Sequence, residues 1–412
     1  MLQAEIIAIG SELLTPYRSD TNSLWLTSQL NALGISLRQK TIVGDDEQCL
    51  EDALRDALKR SSMIISTGGL GPTEDDITRK VFSRVLKRPL ILHQDILDHI
   101  RKLFESRNLK MTSNNERQAL VPRGAEVLPN PNGTAPGILI REGTQVIAML
   151  PGPPREMQPM FTNHVRPVLE PLAGGKRLRQ RVMRVSGMGE SAIDNLIAPV
   201  YSRYTNPSTT ILFNRTDVEI HLTAFAPTDT EADRLIDEVA VQIEEKLGEN
   251  LFAHQGETLE QVLALKLTVK GYTIATAESC TGGLLAMRLT EVPGSSNYFL
   301  QGVVSYSNQS KTDLLGVPAE LIETQGAVSP EVAEAMARGI KHRSGATIGV
   351  GITGIAGPDG GSPEKPVGLV YIGLADDVSV THKKLLLPGD RERIRWLTSQ
   401  AAMDLVRRRY LL

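Results

Sequence analysis

The sequence predicts a multidomain α/β protein, and three observations carry that expectation. At 412 residues the chain is too long for one ordinary core and long enough for two or three that are each stable alone. Residues 4–65 alternate strand and helix patterns in the order that builds a doubly wound sheet. Near residue 276 a new strand–turn–helix series begins, and between the two lies a shorter α+β stretch.

Composition narrows the class. With 45 Lys+Arg against 48 Asp+Glu, the formal net charge of −3 argues against a protein built mainly to coat nucleic acid or an anionic membrane. The two cysteines, Cys49 and Cys280, are far apart, so neither a disulfide framework nor a cysteine-based zinc site is written here, which suits a reducing cytoplasm. The start at Met1 lacks a basic segment followed by an apolar core, and nowhere do about 18 apolar residues run together as a span requires. A cytoplasmic, intact chain without a membrane partner is expected.

In the first region, Ala4–Ile9 is a nearly continuous apolar run, as in a strand buried on both faces. A helix pattern follows through Leu24, Leu26, Leu30 and Leu33, then a strand at Ser36–Val43, a helix at Glu47–Lys59 and an apolar run at Met63–Ile65. In such sheets ligands sit at the carboxyl ends of the strands, which here carry Gly10-Ser-Glu12 and the loop from Ser66 to Asp76. The glycines of the second loop can bring backbone N–H groups to a phosphate, and Glu74, Asp75 and Asp76 then stand where the next helix begins. Carboxylates facing a phosphate make sense if a divalent cation bridges them, although each acid singly also suits the first turn of any helix. Asn132-Gly-Thr-Ala-Pro-Gly137 and Leu150-Pro-Gly-Pro-Pro154 are turn-rich segments beside a strand at Gln145–Leu150.

Those motifs, with Gly68-Gly-Leu-Gly-Pro-Thr-Glu-Asp-Asp-Ile-Thr78, resemble in order the N-terminal domain of the CinA family, the competence/damage-inducible proteins. That domain is similar to the molybdopterin-binding domains of molybdenum-cofactor biosynthesis. The resemblance implies a molybdopterin-binding-like α/β sandwich over 1–172 and a metal-dependent pyrophosphatase that cleaves ADP-ribose to AMP and ribose 5-phosphate. The substrate positions it implies are Gly10, Glu12, Asp20, Asn22, Gly68, Gly69, Gly71, Thr73, Asn132, Gly133 and Thr134. Asp76 falls on a functional aspartate of the relatives, and Asp75 stands beside it as a further ligand for a divalent metal ion. The first loop departs from the pattern: Thr15-Pro-Tyr-Arg18 replaces a Gly-Gln, and Pro16 locks φ and removes an N–H. A pterin- or nucleotide-binding module without turnover is the alternative for this domain.

A basic, glycine-containing segment, Ala173–Arg181 with Lys176 at its centre, opens a small α+β domain over 173–252. It reads as a strand at Val182–Val185, a helix at Glu190–Val200, a half-exposed strand at Val218–Ala224 and a helix at Glu231–Leu247. It is similar to the KH-like middle domain of full-length CinA proteins. A KH module that grips nucleic acid needs Gly-x-x-Gly between two helices, whereas Gly187-Met-Gly189 follows a strand and has one residue between its glycines. A spacer or dimer element is expected; the alternative, suggested by the family's name and the basic segment near Lys176, is a nucleic-acid or DNA-uptake and recombination partner.

The last domain, 253–412, is read as loop-like around Leu251–Gly256, then helical at Leu259–Val269. A strand at Gly271–Ala275 delivers Ser279 to the start of a helix through Leu284, Leu285, Met287 and Leu289, with Gly282 and Gly283 between. Unpaired N–H groups there can hold an oxyanion beside the Ser279 hydroxyl, which makes Ser279 either a nucleophile or a helix cap. Phe299–Tyr306 reads as a strand, and Ser307-Asn308 then opens a helix with Lys311 in its first turn. Tyr306 and Lys311 can face one pocket, where a neutral lysine would take the serine proton and a tyrosine pass a proton to a leaving amine. None of the seven histidines sits in a glycine-rich turn, which disfavours a Ser-His-Asp triad. Cys280 is the second choice as nucleophile, since no adjacent base is visible to lower its pKa. The glycine-rich run from Gly351 to Gly361 and Lys365 suit a phosphorylated ligand, or a mobile hairpin.

Ala277-Glu-Ser-Cys-Thr-Gly-Gly283, Gly302-Val-Val-Ser-Tyr-Ser-Asn308 with Lys311, Gly326-Ala-Val-Ser329, and Gly354-Ile-Ala-Gly-Pro-Asp-Gly-Gly361 with Lys365-Pro-Val-Gly368 resemble the nicotinamide-mononucleotide amidohydrolase domain. The resemblance implies an α/β amidohydrolase domain that converts nicotinamide mononucleotide to nicotinic acid mononucleotide and ammonia without ATP, metal or other cofactor. Ser279, Tyr306 and Lys311 fall on the family's conserved positions. Glu278, Thr281, Gly282, Gly283, Asn308, Thr353, Gly354, Gly357 and Lys365 are the substrate contacts expected around them. The families resembled form dimers or higher assemblies, so a homodimer is expected.

Overall fold

A computed structural model describes residues 3–175 and 177–410; Met1 and Lys176 lie outside the described residues. The chain divides into two compact units, one built on residues up to Arg179 together with Ala224–Arg234, the other on Gln180–Thr223 and the chain from Leu235 onward.

The first unit holds strands β1 (Gln3–Ile9), β2 (Ser36–Val43), β3 (Met63–Thr67), β4 (Leu90–Leu92), β5 (Leu120–Pro122), β6 (Glu126–Leu128), β7 (Gly137–Glu142) and β8 (Gln145–Leu150). Six form one sheet in the order β2-β1-β3-β8-β7-β6, parallel through β8 and antiparallel beyond it, while β4 and β5 pair separately. Its helices are α1 (Thr21–Ala32), α2 (Glu47–Arg60), α3 (Thr78–Val85), α4 (Gln94–Ser106), α5 (Pro154–Met160) and α6 (Arg166–Leu169). Because side chains alternate along a strand, Ile7 and Ile9 pack with Leu50, Leu54 and Phe82 on one face, and Ala4 and Ile6 with Leu26, Leu30 and Phe161 on the other. Two apolar faces account for the unbroken apolar run of β1, and make this unit a helix–sheet–helix sandwich.

The middle region contributes β9 (Arg177–Val185), β10 (Ser208–Asn214), β11 (Asp217–Ala226) and β12 (Leu251–Ala253), in the order β10-β11-β9-β12, with α7 (Glu190–Tyr201) and α8 (Asp229–Leu247). Two of its strands escape the sequence reading. The β10 strand is half of a hairpin whose turn includes Arg215 at φ +40, and β12 replaces the expected loop. Leu251, Phe252 and Ala253 are buried, so three apolar residues suffice for an edge strand too short to show a period.

The rest of the chain forms β13 (Ile274–Glu278), β14 (Phe299–Val304), β15 (Ile348–Gly354), β16 (Leu369–Ala375) and β17 (Val380–Leu386), in the order β14-β13-β15-β16-β17. The first three are parallel and the last two antiparallel. Around them lie α9 (Leu259–Lys270), α10 (Leu284–Thr290), α11 (Asn308–Leu315), α12 (Ala319–Gln325), α13 (Pro330–Ser344) and α14 (Arg391–Tyr410). Ile274 packs with α9, α10 and α14, and Ala275 and Ala277 with α11 to α13, again giving three layers. No helix among the described residues is long and apolar enough to cross a membrane.

Three boundaries differ from expectation, each in a way that bears on function. Gly271 belongs to no strand: it ends α9 at φ +66, and β13 starts at Ile274 and runs to Glu278. The strand expected to reach Tyr306 stops at Val304, leaving Tyr306 on the loop. Of the glycine run expected as a loop from Gly351, the part through Gly354 is strand β15. A Cβ at Gly351 would lie 2.4 Å from the Ala333 carbonyl oxygen of α13, so this glycine serves helix–sheet contact, not a ligand.

Candidate active site

The parallel pair β13–β14 sets the geometry at the C-terminal site. Ser279 N–H donates to the Ile352 carbonyl (3.0 Å) and Ser305 N–H to the Glu278 carbonyl (2.8 Å), so pairing continues past both strand ends and releases two loops side by side. Helix α10 begins only at Leu284, after Gly283 at φ +88. Its first amides are capped by Glu278: Leu285 N–H and Ala286 N–H donate to the two carboxylate oxygens at 3.0 and 2.8 Å. Glu278 is thus a buried structural cap and not a substrate contact, and Ser279 has no capping duty.

Ser307 accepts from Ser310 N–H (3.0 Å) and so starts α11, which puts Lys311 in the first turn. The Lys311 Nζ lies 3.2 Å from Ser279 Oγ and donates to the carbonyls of Ser305 (2.9 Å) and Tyr306 (3.3 Å). Only 1% of Lys311 is exposed, and it makes no ion pair with a carboxylate among the described residues. Burial pushes its pKa below the ordinary lysine value, with the nearby Cys280 thiol opposing. A neutral amine has two N–H groups, matched by the two carbonyls, and a lone pair that can face only the hydroxyl. The arrangement therefore suits proton transfer from Ser279 to Lys311.

Burial pushes the Cys280 thiol up to about 12, which leaves it protonated and inert at neutral pH. In the turn that follows, Gly282 N–H is spent on the Ser279 carbonyl (3.0 Å) and is not free to meet an oxyanion. The amides of Thr281 and Gly283 make no hydrogen bond among the described residues, and the buried Thr281 hydroxyl is also without a partner there.

Tyr306 gives its carbonyl to Lys311, but the residue is 60% exposed and its hydroxyl accepts from Arg391 at 3.1 Å. The other arm of Arg391 donates to the Gly357 carbonyl (2.9 Å), so this arginine joins Tyr306 to the glycine loop. Arg395, one turn along α14, donates twice to the Thr281 carbonyl, at 3.1 and 2.7 Å. Neither arginine was expected. Their i,i+4 spacing is visible in the sequence, but nothing there tells which loop they reach.

Three of the other expected contacts, Thr353, Gly354 and Lys365, are engaged within the scaffold. Thr353 is buried and donates to the Ala327 carbonyl (2.7 Å), and a Cβ at Gly354 would lie 2.7 Å from Val370. Lys365 donates to the carbonyls of Gln325 and Val328 at 2.9 and 2.8 Å, bracing a turn. Asn308 is exposed at the start of α11. A separate groove of about 800 Å³ between α11, α12 and α13 includes neither Ser279 nor Lys311.

In the first unit, a cavity of about 410 Å³ opens at the carboxyl ends of β1, β3 and β8. Gly10, Glu12, Gly68, Gly69, Gly71, Asp75, Asp76, Asn132, Gly133 and Thr134 line it; Asp20, Asn22 and Thr73 do not. Asp20 caps α1 through Ser23 N–H, and Asn22 donates to Thr67 Oγ1 and the Gly152 carbonyl, tying α1 to two loops. The glycines permit close approach: a Cβ at Gly68 would lie 2.1 Å from the Ile9 carbonyl oxygen, and at Gly133 2.0 Å from a Glu156 carboxylate oxygen. Asp76 shapes its own loop, accepting from Gly71 N–H (2.7 Å), Thr73 N–H (2.8 Å) and the Thr73 hydroxyl (2.5 Å). Buried Arg79 fixes the same loop through the carbonyls of Leu70 and Gly71, and burial lowers its pKa to about 10.

Sequence reasoning did not find Asp45, Arg107, Arg155 and Glu156, which also line this cavity and come from distant elements. No cluster of three His, Cys, Asp or Glu able to hold a metal occurs among the described residues. The cavity is lined instead by the carboxylate residues Glu12, Asp45, Asp75, Asp76 and Glu156. That donor set fits a cation such as Mg²⁺, which binds through one or two carboxylates and completes its shell with water and substrate phosphate.

Three models of known protein families match successive stretches of the chain. Residues 5–171 match the model of a probable molybdopterin binding domain, 180–253 the damage-inducible protein CinA KH domain, and 256–410 the CinA C-terminal domain. A CinA-like protein of Koribacter versatilis is 47% identical over 99% of this chain and 100% of its own length. The chain belongs to the CinA family. A putative competence-damage inducible protein of Alkaliphilus metalliredigens is 43% identical over the full length of both chains. Among solved structures, the competence/damage inducible protein CihA from Agrobacterium tumefaciens is 43% identical over 36% of this chain and 91% of its own, with a TM-score of 0.36.

Proposed function

We propose that the C-terminal domain of this CinA-family chain hydrolyses the carboxamide of nicotinamide mononucleotide to nicotinic acid mononucleotide and ammonia. The observation that carries the reading is the 3.2 Å contact between the buried Lys311 amine and the Ser279 hydroxyl. Ser279 Oγ attacks the amide carbon while its proton passes to Lys311. The oxyanion forms against the free Thr281 and Gly283 amides. Collapse breaks the C–N bond, Lys311 returns the proton to the leaving nitrogen, and ammonia departs from an acyl ester on Ser279. Water then attacks that ester with Lys311 again as base, releasing the acid and restoring the hydroxyl. Tyr306, held by Arg391, orients substrate in this scheme, and Arg391 with the Gly357 loop receives the phosphate.

Product analysis with purified protein tests the proposal. Ser279→Ala should bind nicotinamide mononucleotide and release no ammonia, and continued turnover would remove Ser279 from its role.

A second reading concerns the first unit, where the glycine-shaped cavity combines carboxylates with Arg107 and Arg155. This combination favours metal-dependent cleavage of ADP-ribose to AMP and ribose 5-phosphate, with Asp75 and Asp76 as cation ligands. A bound divalent ion would supply charge neutralisation at the diphosphate. Arg107 and Arg155 would orient the phosphates and the glycine loop would admit them. AMP formation with added Mg²⁺ or Mn²⁺ and none with chelator is the expected result; binding without products would leave a nucleotide-binding module. Both substrates derive from pyridine dinucleotides, which gives the two domains a shared purpose.

A further inference from the structure

The loop from Asn130 to Pro136 contributes residues to two cavities. One is the carboxylate-lined crevice already described. The other, about 510 Å³, lies against α4 and the end of α5, and Gly133 and Thr134 line both. Its volume falls in the range of roughly 300–1,000 Å³ typical of small-molecule sites.

We infer that this second cavity binds a planar heterocyclic nucleoside, the half of a dinucleotide-like substrate whose diphosphate lies in the crevice next door. The inference rests on the diphosphate reading of that crevice.

The chemistry of the walls separates the two compartments. The crevice presents Arg107 and Arg155, whereas no lysine or arginine lines the second cavity, which has Asp95 at its edge. A phosphate is therefore disfavoured there, and a ribose hydroxyl can donate to the carboxylate. Four prolines line it, giving flat apolar surfaces beside the imidazoles of His99 and His164. Flat apolar and imidazole faces suit stacking on a base. The exposed His99 imidazole and Asn163 amide and the half-buried His164 imidazole have no hydrogen-bond partner among the described residues, so their polar atoms face the cavity mouth and solvent free of protein contacts. An amide offers a donor and an acceptor side by side, as a base edge requires.

Local backbone structure supports the assignment independently. The helix that supplies Asn163 and His164 changes at Phe161–Val165 into a π-helical turn, with Arg166 N–H donating to the Phe161 carbonyl. Such turns are uncommon and occur often at functional sites. Pro159 and Pro167 flank this one, each without an N–H to close the ordinary ladder.

The test uses the full chain with AMP and ribose 5-phosphate as separate probes. Saturation-transfer NMR should show the adenine protons of AMP in contact with wild-type protein. His164→Ala and Asn163→Ala should each weaken AMP binding by at least about fivefold while leaving ribose 5-phosphate binding unchanged. In ADP-ribose kinetics the same variants should raise KM with kcat largely kept. Unchanged AMP affinity in both folded variants, or no adenine contact in the wild type, overturns the inference. Loss of AMP binding in the variants of a chain that cleaves no ADP-ribose would keep the nucleoside site and discard the pyrophosphatase reading instead.

Discussion

The carboxylate of Glu278 caps the helix that begins at Leu284, and this leaves the hydroxyl of the next residue, Ser279, to the amine of Lys311. Neighbours in sequence thus divide two tasks that serine could otherwise confuse. Replacing Glu278 with Ala should remove two charge-assisted bonds from buried amides and destabilise the domain by about 1–3 kcal/mol, measured by urea unfolding. Activity should fall through kcat, because an uncapped helix end competes for the Ser279 hydroxyl. Full stability together with full turnover would show that the cap is idle.

Lys311 gives a pH dependence with a definite sign. Its folded pKa is lowered by burial, so the unfolded chain binds the extra proton below the ordinary lysine value. Stability contributed by this residue is lowest in acid and recovers as pH rises through the folded pKa. Amidase rate should rise along the same limb, since only the neutral amine accepts the serine proton. Lys311→Met should abolish turnover yet melt above the wild type at neutral pH, with the gap closing in alkali. A rate profile that is flat up to the ordinary lysine pKa would remove Lys311 as base.

Cys280 stands beside Ser279 and should not react. With its thiol pushed to about 12, iodoacetamide at neutral pH should label exposed Cys49 and spare Cys280, as peptide mass mapping would show. Cys280→Ala should keep amidase activity and cost about 1 kcal/mol of stability through the small space it leaves. Loss of turnover in a fully folded variant would reopen Cys280 as a reacting group.

Much of this site is legible in the sequence because its main parts are local. Ser307 starts a helix by a rule any reader can apply, and four residues later Lys311 must lie in its first turn. The serine that ends a strand and the lysine that begins a helix meet because β13 and β14 are parallel neighbours. What stays hidden is tertiary. Gly351 looks like a loop residue, yet together with Gly349 it lets α13 press its backbone on β15, where a Cβ would meet carbonyl oxygens at 2.4 and 2.2 Å. Lys365 looks like a phosphate ligand until its amine is seen to hold two carbonyls. Arg391 and Arg395 lie more than a hundred residues from Ser279, and only the packing of α14 brings them near.

That same helix connects the middle region to the site. The Arg215 guanidinium of the β10–β11 hairpin lies 3.6 Å from the centre of the Trp396 ring and donates to Glu392 at 2.6 Å. Glu392 follows Arg391, so the hairpin grips the turn of α14 that reaches Tyr306 and Gly357. Arg391→Ala should raise KM for nicotinamide mononucleotide and leave the pH profile intact, because the variant loses phosphate binding and not proton transfer. Arg391→Lys should recover little, since an ammonium cannot span the Tyr306 hydroxyl and the Gly357 carbonyl as the guanidinium does. Arg215→Ala should forfeit a cation–π contact of about 0.5–2 kcal/mol and raise the same KM more modestly through a loosened first turn. Steady-state kinetics of the three variants decide the matter. If Arg391→Ala lowers kcat at unchanged KM, the arginine acts on the chemical step, and the phosphate must be held elsewhere.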